Sequence, residues 1–290
     1  MSHLENYLAI NQYMRKQMPD SIGTYLWEGS DQKTLDQVRK YWTENVNTTQ
    51  FWKGDPREIG SSKFFDEVGD FIRTNYEHRY RLIENQAAKY PQGHLLEVGC
   101  GAGWETVAWA KAGMNVSAVD LSSEAIELAK KNLHHNNVSA DIRVGNAEHL
   151  PFEDNTFDIV ASFGVLHQTE STQKAISEVL RVLKPGGEAA ITLYYKYSWK
   201  ILLSKFSKTN FEFSHQDAPI TRLYSKKDLK NLFADFNNVT VYLDYIRATK
   251  SPRKGFLSGL FNHVFVPVYN ILPSAIRRQF GHAAVVIAVK

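Results

Sequence analysis

Cysteine is almost absent from this chain of 290 residues, in which Cys100 is the single thiol. One cysteine excludes an internal disulfide and a metal site built from several thiolates. Acidic and histidine side chains show no ligand spacing either, so we expect no bound metal. The basic excess is also small, at a net charge of +3, which makes a nucleic-acid partner an unfavoured hypothesis.

Long apolar runs are missing as well. No stretch reaches the roughly 18 uninterrupted apolar residues of a membrane span, and the opening MSHLENYLAI lacks the order of a signal peptide. We therefore expect a cytoplasmic protein without a transmembrane segment. The apolar stretch 255–272 is flanked by Lys250, Arg253, Lys254, Arg277 and Arg278. That pattern is compatible with a peripheral membrane contact or with a packed lid. Nothing in the sequence indicates an oligomeric state.

Short apolar runs alternate with helical patterns from about residue 94 onward. This alternation predicts an α/β fold in which helices cover both faces of a parallel sheet. The predicted strands are 94–100, 115–121, 140–146, 156–164, 188–195, 239–246 and 283–289, and the predicted helices are 104–113, 122–137, 171–183 and 226–234. Residues 1–93 are predicted to form a helical extension that caps the substrate. Residues 94–290 are predicted to form the main domain, with inserts at 196–224 and 247–280.

The stretch LLEVGCGAGW (95–104) places three glycines between a predicted strand and a predicted helix. Glycine lets a backbone approach a ligand closely, and free amides at a helix start favour anionic or polar groups. A dinucleotide fingerprint needs its third glycine at position 104, which is occupied by Trp104. A phosphate loop of the GxxxxGK[ST] kind also fails, because Lys and Ser/Thr are absent. A tight turn without any ligand remains the alternative.

Two acids accompany this turn. Asp120 ends the second predicted strand, where a carboxylate can accept hydrogen bonds from both hydroxyls of a ribose. That signal alone is shared with NAD-binding proteins. Glu97 stands just before the glycines and is interpreted as an acid directed towards the ammonium end of a ligand.

The segments LLEVGCGAGW, VSAVDLS, GNAEHLPFEDNTFDIV, SFGVLHQ and RVLKPGGEAAIT follow one another between about residues 94 and 195. As a set they resemble the class I S-adenosylmethionine-dependent methyltransferases with a methyltransferase-11-like domain. The resemblance implies a doubly wound, Rossmann-like sheet of seven strands, mostly parallel with an antiparallel last strand. It also implies S-adenosyl-L-methionine as cofactor and S-adenosyl-L-homocysteine as product.

Carried over position by position, the resemblance assigns Gly99, Gly101 and Gly103 to the loop beside the methionine moiety. Asp120 would bind the ribose, and Leu121 would flank the adenine. The loop Asn146, Ala147 and Glu148 would face the adenine edge, and Phe163 would lie near the methionine. The family usually has Asp where this chain has Asn146, whose side-chain oxygen can still accept a hydrogen bond.

Candidate catalytic residues follow the fourth and fifth predicted strands. His167 is a candidate general base, although a structural histidine is the alternative. Glu170 lies three residues further on and is equally compatible with a solvated acid at a helix start. Tyr194 and Tyr195 point to opposite faces of their strand, so only one should reach the site, and Tyr195 is the predicted one.

Candidate substrate residues come from outside the motif region. Tyr41, Trp42, Trp52, Tyr76 and Tyr80 could form an aromatic wall, with core packing as the alternative. The segment TRLYS resembles one found in a bacterial subset of the family, which suggests Arg222 and Tyr224. We expect a small, apolar or amphiphilic methyl acceptor. The alternatives are RNA or protein methylation, or a catalytically inactive cofactor-binding partner protein.

Overall fold

The computed structural model describes residues 31–199, 218–244, 259–273, 276–277, 281 and 283–290. The predicted inserts are therefore described only in part. Lys250, Arg253, Lys254 and Arg278 lie outside the described residues, as do residues 255–258 at the start of the apolar stretch.

The N-terminal block is helical where it is described. It comprises α1 (Asp31–Glu44), 3-10 turns at Thr49–Phe51 and Pro56–Glu58, α2 (Ser62–Asn75) and α3 (Glu77–Lys89). Helix α2 begins after Ser61, whose hydroxyl accepts a hydrogen bond from the Phe64 amide at 3.2 Å. Its buried residues Phe64, Phe65, Val68 and Ile72 recur at helical spacing, so one face of α2 packs against the rest of the molecule.

The remaining elements alternate between strand and helix. In chain order they are β1 (His94–Val98), α4 (Trp104–Lys111), β2 (Asn115–Asp120), α5 (Ser123–His135), β3 (Asp141–Val144), β4 (Phe157–Phe163), a 3-10 turn (Leu166–Gln168), α6 (Thr172–Val182), β5 (Leu183–Tyr194), α7 (Lys226–Leu232), β6 (Val239–Asp244), a π-helical turn (Phe261–Phe265), α8 (Val266–Ile271) and β7 (Ala283–Val289). Each predicted strand and helix of the core is present, with ends that differ by a few residues.

The strands form one sheet in the order β3-β2-β1-β4-β5-β7-β6. Strands β1 to β5 pair in parallel, and β7 runs antiparallel between β5 and β6. The fold prediction is confirmed, including the antiparallel last strand. The division at residue 93 stays a prediction.

One strand begins earlier than the sequence predicts. Residues KPGG (184–187) are predicted to form a turn before a strand at 188, yet β5 starts at Leu183. Leu183 pairs with Phe157, and Glu188 pairs with Ile159. Between these two pairs β5 has four residues and β4 has one, so residues 184–187 form a bulge in β5. The positive φ of 80° at Gly186 makes this bulge compatible with continued pairing.

Neighbouring residues of the central strands point to opposite helical layers. Leu95 and Ile159 pack with Ile83 of α3 and Trp109 of α4 on one face. Leu96 and Val160 pack on the other face with Ile176 and Val179 of α6, with Leu229 of α7 and with Phe233 directly after α7. Both faces are therefore covered, as an alternating sequence requires.

The carboxyl ends of the parallel strands meet at one edge of this sheet. Val98, Asp120, Phe163 and Tyr194 end β1, β2, β4 and β5. Asp244 ends β6 and pairs with Ala283, the first residue of antiparallel β7. Ligands of doubly wound sheets bind beside such an edge.

Candidate active site

A cavity of 190 Å³ lies between this edge and the N-terminal helices. Its floor includes the glycine turn, the end of β2 and the loop after β3. Its opposite wall comes from α1, the first 3-10 turn, α2 and α3. The cavity is thus shared by the motif region and the N-terminal block.

The glycine turn is held by the acid that ends β2. The Gly101 amide donates to one carboxylate oxygen of Asp120 at 2.8 Å, and the Ser122 amide donates to the other at 2.9 Å. Asp120 therefore fixes the two adjacent loops relative to each other. An added Cβ at Gly101 would meet no heavy atom within 4 Å, so the backbone there is open to a ligand in the cavity.

The loop after β3 is organised by its own polar side chains. The Asn146 side-chain oxygen accepts from the Glu148 amide at 3.0 Å, and Glu148 accepts from the Ser171 amide at 2.9 Å. The side-chain oxygen of Asn146 therefore already accepts one hydrogen bond that shapes the loop. The same side-chain oxygen has a second lone pair that can accept a hydrogen bond from a ligand. Leu121 and Ala147 complete this end of the cavity.

The other end of the cavity holds a buried cluster of charges. Glu97 accepts a hydrogen bond from the Thr106 hydroxyl at 2.5 Å, and Glu105 pairs with Arg79 at 2.9 Å. Burial and the negative charge of Glu105 raise the pKa of Glu97 well above its usual range, against the lowering effect of the Thr106 hydrogen bond. Carboxylates outnumber cations here, so this end favours a positively charged ligand group.

Arg79 reaches the cavity from α3, a role that the sequence reasoning missed. Its guanidinium lies 4.6 Å from the ring centre of Tyr76 and 5.9 Å from that of Phe163. Burial lowers the pKa of Arg79, but the charges of Glu105 and Tyr76 raise it more, and the net shift is upward. A fixed cation is therefore available next to the acids.

A second pair in the cavity wall was also missed. His78 of α3 lies with its Nε2 at 2.6 Å from a carboxylate oxygen of Asp244, the last residue of β6. Both residues line the cavity. The predicted strand 239–246 places Asp244 inside the strand and not at its end, and His78 sits in the polar stretch EHRYR of a helix, so neither was singled out.

The wall formed by α1, the first 3-10 turn and α2 is mostly apolar. Its apolar residues, the apolar wall of the cavity, are Leu35, Val38, Trp42, Val46, Phe51 and Ile72, and the polar residues Asn47 and Thr48 lie among them. Trp104, the residue that excluded a dinucleotide fingerprint, connects this wall to the glycine turn. Its indole N–H donates to the Thr48 hydroxyl at 2.8 Å, and its ring contacts the rings of Phe64 and Phe65.

Most predicted cofactor residues line the cavity. These are Glu97, Gly99, Gly101, Asp120, Leu121, Asn146, Ala147, Glu148 and Phe163. Gly103 is not part of the wall. It precedes α4 with a φ of 77°, and a Cβ there would lie 3.0 Å from Ala129, so Gly103 serves close packing of α4 on α5. The contacts of these residues with a cofactor stay predictions.

The predicted catalytic residues do not all lie in the cavity wall. Glu170 lines the cavity. His167 is fully buried outside the wall, with its ring 3.9 Å from that of Tyr194. Tyr194 lines the cavity, whereas Tyr195, the residue predicted to act, packs against the core on the other face of the strand. The geometry therefore favours Tyr194, and a catalytic role for either stays a prediction. Burial raises the pKa of Tyr194 to about 12, so this phenol stays protonated near neutral pH.

Of the residues predicted to form an aromatic wall, Trp42 and Tyr76 line the cavity. Tyr41 packs edge-on against Trp42, and Trp52 is buried against Phe64. Tyr80 lies beside Arg73.

The two predicted substrate residues of TRLYS also lie outside this wall. Arg222 donates to the backbone carbonyls of Thr169 and Glu170, which fixes the loop that carries Glu170. Tyr224 is buried in the core, and its amide donates to the carbonyl of Tyr194 at 2.9 Å. These two residues therefore support the site and do not form its wall.

Comparison with known proteins identifies the family. A model described as a methyltransferase domain matches residues 96–191. Demethylmenaquinone methyltransferase from Staphylococcus aureus is 33% identical over 203 residues, which cover 62% of this chain and 83% of that protein. The chain belongs to the class I S-adenosylmethionine-dependent methyltransferases.

The matches differ in extent. The enzyme of the same name from Renibacterium salmoninarum is 33% identical over 129 residues, which cover 44% of this chain and about half, 52%, of that protein. A solved S-adenosylmethionine-dependent methyltransferase from Thermotoga maritima aligns with a TM-score of 0.50 at 20% identity, over 80% of this chain and 99% of the other. At this identity the structural match supports the fold alone.

S-adenosylmethionine, the cofactor of the family, fits the chemistry of the cavity. Its ammonium and sulfonium are cations, which suits the buried excess of carboxylates around Glu97. Its carboxylate suits Arg79, its ribose suits Asp120, and its adenine suits the polar loop at Asn146. Each part of the molecule thus has a chemically matched group in one continuous wall.

Gly99→Ala is expected to destabilise the fold. Gly99 has a φ of 81°, which costs an L-residue about 1–2 kcal/mol, and an added Cβ would lie 2.4 Å from a methyl of Val165. Gly113→Ala is the matched control, because Gly113 has a φ of 86° and no heavy atom within 4 Å of an added Cβ. Thermal unfolding should show a larger loss for Gly99→Ala. Equal losses would mean that Val165 moves aside.

Glu97→Gln is expected to stabilise the ligand-free protein while weakening cofactor binding. Because the folded-state pKa of Glu97 is raised, the folded state holds more protons than the unfolded state above the ordinary pKa. Stability is therefore lost as pH rises through that window, by about 1.4 kcal/mol per pH unit. Melting curves from mildly acidic to mildly alkaline pH should show this loss in the wild type and not in Glu97→Gln.

Calorimetry completes this test, because the neutral amide of the Glu97→Gln variant should hold the ammonium of S-adenosylmethionine less tightly than the wild-type carboxylate does. Glu84→Gln, at an exposed carboxylate of α3, is the control for removing one negative charge. If Glu97→Gln melts at the wild-type temperature at every pH, the buried charge is not a source of instability.

Proposed function

We propose that this chain transfers the methyl group of S-adenosylmethionine to a small, largely apolar acceptor. The observation that carries the proposal is the composition of one cavity. Its charged and polar end matches the cofactor, and its other wall is built from aromatic and aliphatic side chains of α1, α2 and the first 3-10 turn. A ligand between the two walls would meet apolar surface on the side away from the cofactor.

The apolar wall favours an acceptor that buries hydrocarbon or an aromatic ring. Such burial contributes about 25 cal/mol per Å² of apolar surface, and indole and phenyl rings such as those of Trp42 and Phe51 offer flat surfaces for it. Relatives named demethylmenaquinone methyltransferase support a small-molecule acceptor. The weak net charge argues against RNA.

The residues of the chain have separable roles in this proposal. When bound, S-adenosylmethionine supplies a methyl group that is already activated by its sulfonium. Glu97 and Arg79 orient the charged end of the cofactor, and Asp120 holds the turn that faces it. Trp42 and Phe51 position the acceptor, so that proximity and alignment provide most of the rate enhancement.

An acceptor hydroxyl or amine must also lose a proton, and the His78–Asp244 pair is the best-placed base. With Nε2–H donating to Asp244, Nδ1 is the nitrogen that can take up a proton. The carboxylate fixes this tautomer and stabilises the imidazolium that forms. His167, the base predicted from sequence, is separated from the cavity by its position behind the wall residue Tyr194.

A methyl-labelling assay tests the function. Methyl-labelled S-adenosylmethionine and the protein are incubated with a bacterial extract divided into organic-soluble metabolites, water-soluble metabolites, RNA and protein. We expect label in the organic-soluble fraction, and none with Asp120→Ala, checked for folding by circular dichroism. Label confined to RNA or protein would overturn the small-molecule assignment. Calorimetric binding of S-adenosylmethionine without label in any fraction would favour an inactive cofactor-binding protein.

His78→Gln tests the proposed base. Gln retains a donor near the former Nε2 but cannot take up a proton, so we expect kcat to fall by about 10²–10⁴-fold with unchanged cofactor affinity. Asp244→Asn should lower kcat and shift its pH profile. His135→Gln is the matched control, because His135 forms a similar 2.9 Å pair with Asp66 outside the cavity. An unchanged pH profile in His78→Gln would contradict this role.

A further inference from the structure

The segment between β6 and β7 contains an aromatic anchor. Helical residues of the π turn and α8 pack on Trp199 through one side, with ring centres of Phe265 and Tyr269 at 5.2 and 5.3 Å from that of Trp199. Phe261, Val266 and Tyr269 are buried there. This side holds the helix against the body of the protein.

The other side of the same helix is apolar and exposed. Leu260, Val264, Val268 and Ile271 are 51%, 51%, 50% and 80% exposed. Their spacing of four, four and three residues places them along one stripe, which we call the apolar stripe. Single exposed apolar residues are common, but an aligned set of four marks an interaction surface.

The charge of the surrounding segment indicates what covers the stripe. Residues 245–282, between β6 and β7, contain no Asp or Glu, and their basic side chains are Arg247, Lys250, Arg253, Lys254, Arg277 and Arg278. The other 252 residues carry 28 basic and 31 acidic side chains, so they are net acidic. The positive charge of the whole chain is therefore concentrated in the segment that bears the stripe.

We propose that the apolar stripe docks the protein on the surface of an anionic lipid bilayer. Apolar side chains enter the boundary of the acyl chains, while the Lys and Arg that flank them in the sequence attract anionic headgroups. A second copy of the chain is a poorer occupant, because two such segments carry the same charge. Among the described residues no helix is long and apolar enough to cross a bilayer.

Docking here would bring the cavity to the lipid. Asp244 and Ala283, which bound the segment at either end, both line the cavity and pair with each other in the sheet. Trp199, the anchor of the helix, follows cavity residue Tyr194 by five positions. An apolar acceptor dissolved in the bilayer would then have a short path to the site. This last step rests on the proposed function, whereas the docking itself does not.

Vesicle cosedimentation tests the docking. The full chain is mixed with vesicles of phosphatidylcholine alone, or of equal parts phosphatidylcholine and phosphatidylglycerol, without cofactor or acceptor. We expect binding to the anionic vesicles that weakens with added salt. Val264→Asp combined with Val268→Asp should lower the partition coefficient by at least about tenfold. Val144→Asp is the matched control and should bind as wild type, because Val144 is 53% exposed on β3, at the opposite edge of the sheet.

Circular dichroism and melting curves establish that each variant is folded, and the salt dependence of the wild type tests the proposal without any substitution. Equal binding by the double variant and the wild type would overturn the proposal, as would binding that is indifferent to phosphatidylglycerol. So would a dimer that forms without lipid and is lost in the double variant. The assay contains no cofactor or acceptor, so a lack of vesicle binding would not contradict the proposed methyl transfer. In the same way, a lack of methyl transfer would not contradict the proposed docking.

Discussion

The packing of Trp104 between the N-terminal helices and the glycine turn is the interaction on which the site depends. This indole begins α4 directly after the turn, contacts Phe64 and Phe65 of α2, and donates a hydrogen bond to Thr48. The sheet edge alone would form only a floor, open to water. By joining α2 and the first 3-10 turn to that floor, Trp104 gives the cavity its second, apolar wall and excludes solvent from the charged groups between them.

Burial makes the charges at the Glu97 end of the cavity costly for the ligand-free protein. Glu97, Glu105 and Asp120 lie near one another, and Arg79 is the cation that pairs with Glu105. In the ligand-free protein this surplus of carboxylates costs stability, because burial disfavours their charged forms. A ligand with a positive charge offsets that cost when it binds. The buried carboxylates therefore lower the stability of the ligand-free protein. The same carboxylates favour the binding of a ligand that carries a positive charge.

Sequence reasoning found most of the cavity residues that lie at strand ends, because the carboxyl ends of parallel strands share one edge. Topology alone brings Glu97, the glycine turn and Asp120 to one edge. The side of the cavity that the N-terminal helices form was predicted poorly. Arg79 and His78 belong to the polar stretch EHRYR of α3, and only the packing of α3 over the edge turns them towards the cavity. The exchange of Tyr195 for Tyr194 shows a related limit, since strand alternation gives two faces and does not say which face meets the cavity.

The same topology explains how the chain can vary its acceptor without disturbing its cofactor. The additions enter before β1, after β5 and between β6 and β7, and each leaves the pairing of the sheet intact. Asp244 and Ala283 remain in register across the last of them. The additions after β5 and between β6 and β7 leave the sheet at its carboxyl edge, and the N-terminal block reaches the same edge through α1, α2 and α3, which line the cavity. Substitutions in the apolar wall should change acceptor affinity independently of cofactor affinity, because no residue of that wall contributes to the hydrogen bonds that hold the glycine turn.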